Sequence, residues 1–172
     1  MNNIVCETKR CIIRELSMDD MEALFKLYSY PGMTDHMEGL LPWDEECEYQ
    51  QAYIKYMYGF YGYGLWLCFD RVSNELIARA GLENRILDDG TNDIELGYAV
   101  GTPFWNQGYA TEICKAILDV SPDYIYDEPI YAFIKPANEA SIGFITNKLS
   151  FKYDCDIVVE KQKYKRFKYE KK

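Results

Sequence analysis

The first third of the chain carries a hydrophobic period typical of a strand, followed by periods typical of helices. Residues 9–16 alternate loosely and are rich in Ile, which predicts a strand. Residues 17–20 have the sequence of a capping box, and residues 21–28 place their apolar side chains on one helical stripe. Residues 44–58 predict a second helix, whose acidic first turn suits the positive end of the helix dipole and is expected to be solvated.

The middle of the chain predicts three consecutive strands. Residues 64–70, 76–83 and 93–100 are apolar enough to be buried in a sheet. Short polar turn sequences separate them, Ser73-Asn74 after the first and Asp88-Asp89-Gly90 after the second. The three segments therefore predict an antiparallel meander.

Beyond residue 100 the helix and strand periods alternate. The pattern predicts, in order, a helix over 108–120, a strand over 129–134, a helix over 138–149 behind an Asn cap, and strands over 151–159 and 163–169. No internal repeat, linker or low-complexity block interrupts this order. We therefore expect one domain over residues 1–172.

Composition adds the class of protein. Of the 172 residues, 48% are hydrophobic and 27% are charged, which is typical of an ordinary globular chain and not of a disordered one. No apolar stretch approaches the roughly 18 residues that span a bilayer. The N-terminal residues include Glu7, Lys9, Arg10 and Arg14, so no hydrophobic signal region is expected. These observations predict no membrane partner and a cytoplasmic location.

Charge and metal-binding residues narrow the partners. The formal net charge is −9, although residues 161–172 are strongly basic, and an acidic body favours cationic partners such as amines over nucleic acid. The basic tail is best interpreted as protection of an edge strand. The six cysteines form no CxxC pair, and His36 is the only histidine, so we expect no metal site.

The segment with the clearest chemical signal is a strand that leads through a short loop into a helix. The predicted strand ends at Val100, and the predicted helix begins at Gly108. A glycine at this junction lets the backbone approach a ligand closely, and the unpaired N–H groups of a first helical turn bind anions. The segment contains neither a Walker loop nor a GxGxxG fingerprint. A phosphate or pyrophosphate is therefore the expected ligand.

This segment resembles the GNAT acyltransferase superfamily. The string WNQGYA at residues 105–110 matches its Q/R-x-x-G-x-G/A signature, although Trp105 replaces the usual Gln or Arg. The strings ELGY, FWNQGYATE, NEAS and KLSF are similar to the branch that contains the ribosomal-protein-alanine N-acetyltransferases. The resemblance implies a GNAT-like three-layer α/β (α+β) fold, with a central mixed, mostly antiparallel sheet of about seven strands flanked by about four helices.

The resemblance also implies acetyl-CoA as co-substrate, without a metal. The pantetheine arm is expected along the strand that ends Tyr98, Ala99, Val100. The pyrophosphate is expected at the loop and first helical turn, formed by Asn106, Gln107, Gly108, Tyr109, Ala110 and Thr111. A Cβ at residue 108 would meet the phosphate. Asn138 is expected to cap its helix and to contact the pantetheine amides.

Acetyl transfer needs a neutral amine, and most amines are protonated at neutral pH. Glu95 stands where the resembling family has an acidic base, and partial burial would suit it to that role; alternation equally allows a solvent-facing strand residue. Many relatives use a tyrosine of the last helix as acid, but Ile145 and Thr146 occupy that turn. Ser141 matches the serine that the branch carries near the sulfur, or it is a helix residue that assists the cap.

The end of the last predicted helix departs from the family pattern. Ser150-Phe151 replaces the usual Gly-Phe, and the interval from Asn138 to Phe151 is one residue longer than usual, which predicts a bulge or a shifted helix end.

The acceptor pocket is expected at residues 28–43, at residues 56–66 and at the last hairpin, with most aromatics of these segments in the core. The function implied is acetyl transfer to a primary amine, either a protein N-terminus or a small amine. A non-catalytic coenzyme A-binding sensor and an interaction module are the alternatives, and a homodimer stays open.

Overall fold

The computed structural model describes residues 3–126 and 128–170. Eight strands form one sheet in the order β1-β2-β3-β4-β5-β6-β8-β7. Their bounds are β1 Ile4–Glu7, β2 Cys11–Arg14, β3 Leu65–Asp70, β4 Leu76–Ile86, β5 Asn92–Val100, β6 Ile130–Ile134, β7 Phe151–Val159 and β8 Gln162–Tyr169. The predicted mixed, mostly antiparallel sheet is confirmed, with eight strands where about seven were expected. The interpretation of the basic tail as protection of an edge strand is wrong, because β8 pairs with β6 on one side and with β7 on the other.

Five α-helices accompany the sheet. They are α1 Met21–Tyr28, α2 Trp43–Tyr53, α3 Tyr109–Val120, α4 Pro122–Ile125 and α5 Glu139–Lys148. A π-helix, Ile54–Tyr61, continues directly from α2 and ends at Gly62, whose φ is +79°. The second predicted helix therefore changes its hydrogen-bond pattern after Tyr53 and runs three residues beyond its predicted end. Among the described residues, no helix is long and apolar enough to cross a membrane.

The helices form a layer on each face of the sheet. From α2, Gln50 accepts a hydrogen bond from Arg79 of β4 at 3.0 Å, which places α2 on the face to which Arg79 points. From α5, Ser141 bonds to Tyr98 of β5, whose cross-strand partner Ala80 points to the opposite face. We call these the α2 face and the α5 face. The core between the layers buries the largest apolar side chains, among them Trp66, Leu82 and Ile113.

The only parallel pairing among the described strands joins β5 to β6, and it is short. It covers two residue pairs, Ile94 with Ile130 and Glu95 with Tyr131. On its other side β5 stays paired with β4 as far as Val100, and β6 stays paired with β8. The two strands therefore part after Glu95, and the sheet splits between them.

At the start of the chain, the sequence did not predict the first strand but did predict the helix cap that follows β2. The strand β1 was not predicted, because four residues with the burial order exposed, half-buried, half-buried, exposed show no alternation. The predicted capping box is confirmed: the backbone N–H of Ser17 donates to Asp20 Oδ2 at 2.8 Å. Arg14 holds the same carboxylate with two further bonds, of 2.7 and 2.8 Å.

Ser150 occupies a left-handed position at the end of α5. The helix is regular up to Lys148, Leu149 caps it, and Ser150 has φ +63°. This is the backbone region in which helices commonly place glycine after their last turn. The irregularity in this part of the chain lies further on, as a register shift in β7 between Tyr153 and Cys155.

We expect Ser150→Gly to stabilise the protein. The substitution removes the steric cost of a Cβ at positive φ, so the free energy of unfolding should rise by about 0.5–1 kcal/mol. Urea denaturation followed by circular dichroism measures the change. Ser29→Gly is the matched control, because Ser29 ends α1 with φ −79° and should lose stability as glycine. A Ser150→Gly variant less stable than the wild type would contradict this account.

Candidate active site

The split between β5 and β6 contains the strand residues predicted to hold a pantetheine arm. Tyr98, Ala99 and Val100 all lie on β5 beyond the last pair that it shares with β6. The indole N–H of Trp105 donates to the Val100 carbonyl at 2.7 Å and so ties the following loop to the end of the strand. Trp105 is therefore a structural anchor of the loop.

The loop that follows β5 turns its backbone with two left-handed residues. Asn106 has φ +59° and Gly108 has φ +81°, and α3 begins at Tyr109. Within the described part of the chain, no well-formed hydrogen bond takes up the backbone N–H groups of residues 106–111. Successive free N–H groups at a helix start form a concave site for anions. The backbone geometry is compatible with the predicted anion loop, whose ligand stays a prediction.

The side chains of this loop are held by the protein itself. Gln107 donates from Nε2 to the Pro103 carbonyl at 2.8 Å.

A glycine at residue 108 was predicted for a steric reason, and the structure adds a conformational reason for it. A Cβ there would lie 3.5 Å from Arg10 Nη2, an ordinary contact, whereas φ +81° disfavours every L side chain.

Arg10, in the turn between β1 and β2, clamps the start of α3, and the sequence analysis missed it. Its Nη1 donates to the Gln107 carbonyl at 2.9 Å, and its Nε donates to Glu112 Oε2 at 2.6 Å. Its guanidinium lies 4.0 Å from the centre of the Tyr109 ring. Burial alone would raise the pKa of Glu112, but hydrogen bonds from Thr8 and Arg10 hold that pKa below its ordinary value. The clamp therefore joins the sheet edge to the anion loop with a charged pair.

Glu95 is buried on the α2 face at the point where the sheet splits. Its side chain is nearly inaccessible, with the residue 9% exposed, so the solvent-facing alternative is wrong. Arg85 donates from Nε to Glu95 Oε2 at 2.7 Å. Burial raises the pKa of Glu95 to about 7; Arg85 opposes this rise, and the nearby Glu83 adds to it. A carboxylate with this pKa can accept a proton at neutral pH.

Ser141 lies in the first turn of α5, where it takes part in the helix cap; its place near the sulfur stays a prediction. Its backbone N–H donates to Asn138 Oδ1 at 3.1 Å, so Asn138 caps the helix as predicted. Its hydroxyl bonds to the phenol of Tyr98. Burial raises the pKa of Tyr98 well above its ordinary value, so the phenol stays protonated. Tyr98 was expected to contribute only its backbone, but its side chain places a second hydroxyl next to Ser141. Because Tyr98 follows Glu95 by three residues on one strand, the sequence could have indicated that the two side chains point to opposite faces of the sheet.

The predicted acceptor segments divide into core and surface residues. Tyr58 is buried and donates its hydroxyl proton to the Leu65 carbonyl, whereas Phe60 is 79% exposed. The acidic first turn of α2 is not wholly solvated, contrary to expectation. Glu46 is buried, and its carboxylate accepts hydrogen bonds from Gln50 Nε2 at 2.6 Å and from the Leu41 backbone N–H at 2.8 Å. The bond from Leu41 ties the loop between α1 and α2 to the start of α2.

Among the described residues, no group of three or more His, Cys, Asp or Glu side chains could hold a metal ion. The six cysteines are free thiols. Burial raises the pKa of Cys114 and of Cys68 well above the ordinary thiol value, so these two thiols are inert buried side chains.

Comparison with other sequences identifies the family. Residues 10–151 match the family model described as an acetyltransferase (GNAT) domain. The chain is also similar to YkkB of Bacillus subtilis (strain 168), with 27% identity over 151 residues that cover 87% of this chain and 86% of YkkB. The match to the family model includes β2 to β6, the anion loop and α5. The sequence resemblance to GNAT proteins is confirmed.

Solved structures agree with this fold. RimL, described as a ribosomal L7/L12 alpha-N-protein acetyltransferase, has a TM-score of 0.78 at 14% identity, covering 98% of this chain and 94% of RimL. A chimera of the spermidine N-acetyltransferase SpeG from Vibrio cholerae and hSSAT has a TM-score of 0.73 at 17% identity, covering 92% of this chain and 94% of that one. The family match over most of the chain and the shared fold lead to one conclusion: the chain belongs to the GNAT acetyltransferase family.

Proposed function

We propose that this protein transfers the acetyl group of acetyl-CoA to a primary amine, either a protein N-terminus or a small amine, by direct attack with Glu95 as general base. Membership of the GNAT family implies the coarser reaction, acetyl transfer to an amine. The observation that carries the finer proposal is the buried Glu95 at the split of the sheet, with a pKa near 7.

The cofactor end of the proposal rests on backbone groups. The free N–H groups of residues 106–111 suit the two charges of a pyrophosphate, and the unpaired side of β5 suits the amides of a pantetheine arm. The distance between these features along the chain is short, because the loop begins directly at the end of β5. The thioester would then lie in the split, between the two faces of the sheet.

The catalytic end supplies one proton acceptor and one proton donor. Glu95 takes a proton from the ammonium of the acceptor, and the freed nitrogen attacks the carbonyl carbon of the thioester. The C–S bond then breaks, the new amide keeps the acetyl group, and the sulfur leaves with the electron pair. Ser141, whose hydroxyl bonds to Tyr98, donates its proton to that sulfur, so coenzyme A leaves as the thiol. The nitrogen loses its second proton as the amide forms, and that proton restores the Ser141 hydroxyl. Solvent receives the proton from Glu95.

The acceptor is proposed to be cationic. The formal net charge of −9 favours the approach of an ammonium group, and exposed aromatic residues near the end of the π-helix offer ring faces for cation–π contact. Among the similar structures, RimL is described as an alpha-N-protein acetyltransferase and SpeG as a spermidine N-acetyltransferase, so protein N-termini and small amines both belong in a test. A homodimer and a cytoplasmic location stay predictions from sequence.

The test is thiol release from acetyl-CoA in the presence of a panel of amines. The panel contains peptides with free N-termini, the same peptides blocked at the N-terminus, polyamines and amino acids. Release with at least one free amine, together with mass spectrometry of its acetylated product, is the expected result. Binding of coenzyme A without release across the panel would overturn the proposal in favour of a sensor, and absence of binding would favour an interaction module.

Gly108→Ala is expected to weaken coenzyme A binding about tenfold. An alanine at φ +81° costs about 1–2 kcal/mol, which the loop can relieve by rotating the N–H groups that it presents. Isothermal titration calorimetry measures the dissociation constant. Gly90→Ala is the matched control: its φ is +84°, nothing lies within 4 Å of the new Cβ, and it sits in the β4–β5 turn. Equal affinities for the two variants would contradict the assigned loop.

A further inference from the structure

A second carboxylate, that of the half-buried Glu83, lies beside the proposed base. Glu83 of β4 is the direct cross-strand partner of Glu95 of β5, so both side chains point to the α2 face. We propose, on the basis of the function proposed above, that Glu83 is a positioning residue that acts through Glu95: its negative charge sets the pH at which Glu95 exchanges its proton.

Two like charges in direct cross-strand register destabilise a sheet. Directly opposed side chains have their Cβ atoms about 4.5–5.5 Å apart, close enough for carboxylates to interact. The arrangement therefore has a cost in stability when both groups are ionised, and each carboxylate disfavours ionisation of the other.

Arg85, the arginine bonded to this pair of carboxylates, bonds to Glu95 and not to Glu83. Arg85 approaches Glu95 Oε2 with both Nε and Nη2 at 2.7 Å. Within the described residues, the hydrogen bond that Glu83 receives is a long one of 3.4 Å from the Tyr53 hydroxyl. Arg79, on the same face of β4, donates to Gln50 at 3.0 Å, and its Nε has no partner among the described atoms. Within the described residues no bonded cation neutralises Glu83; burial raises its pKa, and the charges of Arg79 and Arg85 oppose that rise through space.

Gly97, which has no side chain, leaves room for the carboxylate of Glu83. A Cβ at Gly97 would lie 3.4 Å from Glu83 Oε2. Gly97 follows Glu95 by two residues on the same face, on the stretch of β5 that is no longer paired with β6. The carboxylate of Glu83 therefore lies against the stretch of β5 where the sheet has split, next to the position proposed for the reacting groups.

Other groups near the pair do not replace Glu83 in this role. Asp93, two residues before Glu95 on β5, is neutralised by Arg166 of β8 at 2.9 Å. Arg79 of β4 is the other charged group on this face, and its charge lowers the pKa of Glu83. Tyrosines, which are uncharged in the neutral range, also approach the pair, namely Tyr28 of α1, Tyr49 and Tyr53 of α2, Tyr58 of the π-helix, Tyr131 of β6 and Tyr164 of β8. Arg85 favours ionised Glu95, and Glu83 is the charge that opposes ionisation.

The sign of the effect follows from these contacts. The pKa of Glu95 is raised to about 7, mainly by burial; within that rise the charge of Glu83 adds to the effect and Arg85 opposes it. Removing the charge of Glu83 leaves burial and Arg85 in place. The pKa of Glu95 should then fall, and the base should become available at lower pH.

The experiment is a carboxyl ¹³C NMR titration of Glu95, with its signal assigned by loss in Glu95→Gln. In Glu83→Gln, and in Glu83→Ala as a second neutral variant, the Glu95 midpoint should fall by about one pH unit. Glu83→Asp retains the charge and should keep most of the wild-type midpoint. Asp93→Asn is the matched control on the same face and should leave the midpoint in place. An unchanged midpoint in both neutral variants, or an equal fall in Asp93→Asn, would overturn the proposal.

The titration needs no turnover, so its outcome is separate from that of the proposed function. The pH profile of kcat/KM supplies the second readout: its acid limb should move down with the NMR midpoint in Glu83→Gln, at little change in KM for acetyl-CoA. A limb that stays while the midpoint falls would overturn the link between Glu83 and catalysis. Absence of thiol release by the wild-type protein would instead count against the proposed function.

Discussion

Replacing Glu95 by glutamine is expected to lower kcat/KM for amine acetylation about 100-fold to 1000-fold. Glutamine has nearly the same shape but cannot accept the proton of the ammonium, and a positioned general base contributes about this factor. Thiol release from acetyl-CoA measures the rate, and calorimetry should show unchanged binding of coenzyme A. Asp93→Asn removes a carboxylate of the same strand face that Arg166 already holds, and its rate should stay within about twofold of the wild type.

The same substitution should also change how rate and stability respond to pH. The pKa of Glu95 is raised by burial to about 7, so wild-type activity should rise as pH increases through about 7, where the carboxyl loses its proton. A carboxyl with a raised pKa stabilises the folded protein at low pH, and this stabilisation is lost as pH rises between about 4.5 and 7. Glu95→Gln should therefore lose less stability than the wild type over that interval. Retention of wild-type activity by the variant would remove Glu95 from the mechanism.

Gly81→Ala is expected to be the most destabilising single methyl addition, at about 3 kcal/mol or more in the free energy of unfolding. A Cβ at Gly81 would lie 2.0 Å from the Gly64 carbonyl oxygen and 2.9 Å from Leu65 Cα, and both are backbone atoms that no rotamer change can move. The backbone of β3 would have to shift away from β4. The melting temperature should fall by about 10 °C, as measured by differential scanning calorimetry.

Gly143→Ala separates this steric effect from the general effect of losing a glycine. Gly143 lies within α5, where the nearest atom to a new Cβ is Asn147 Nδ2 at 3.8 Å. Alanine should stabilise that helix by about 0.5–1 kcal/mol. If Gly81→Ala were as stable as the wild type, β3 and β4 could not approach as closely as the structure has them.

The fold was predictable where local sequence carries its own signal. The meander of β3, β4 and β5 and the helices α3 and α5 follow from hydrophobic periods and turn residues. The π-helix Ile54–Tyr61 was not predictable in the same way, because one extra residue per turn leaves no distinct mark in an aromatic segment. The sequence predicted a helix end at residue 58, three residues before the observed one.

In the candidate site, too, the sequence predicted residues that belong to a local motif and not the contacts between distant parts of the chain. Glu95, Ser141 and the loop at Gly108 were identified from a motif, because they are close in sequence to the residues that define it. The burial of Glu95 depends on α2 and on Arg85 and could not be derived from alternation within β5. The bond between Arg10 and Glu112 joins residues 102 positions apart, and no single-chain pattern encodes a pairing at that separation.

That distant bond has a consequence for how the protein acquires its activity. Contacts between residues far apart in sequence form late, because the intervening chain must first be ordered. The turn at Arg10 belongs to the first hairpin, and it reaches the helix start only after the meander between them has assembled. Formation of the anion loop, where coenzyme A is proposed to bind, is thus coupled to completion of the whole domain, and we expect a partly unfolded chain not to bind the coenzyme.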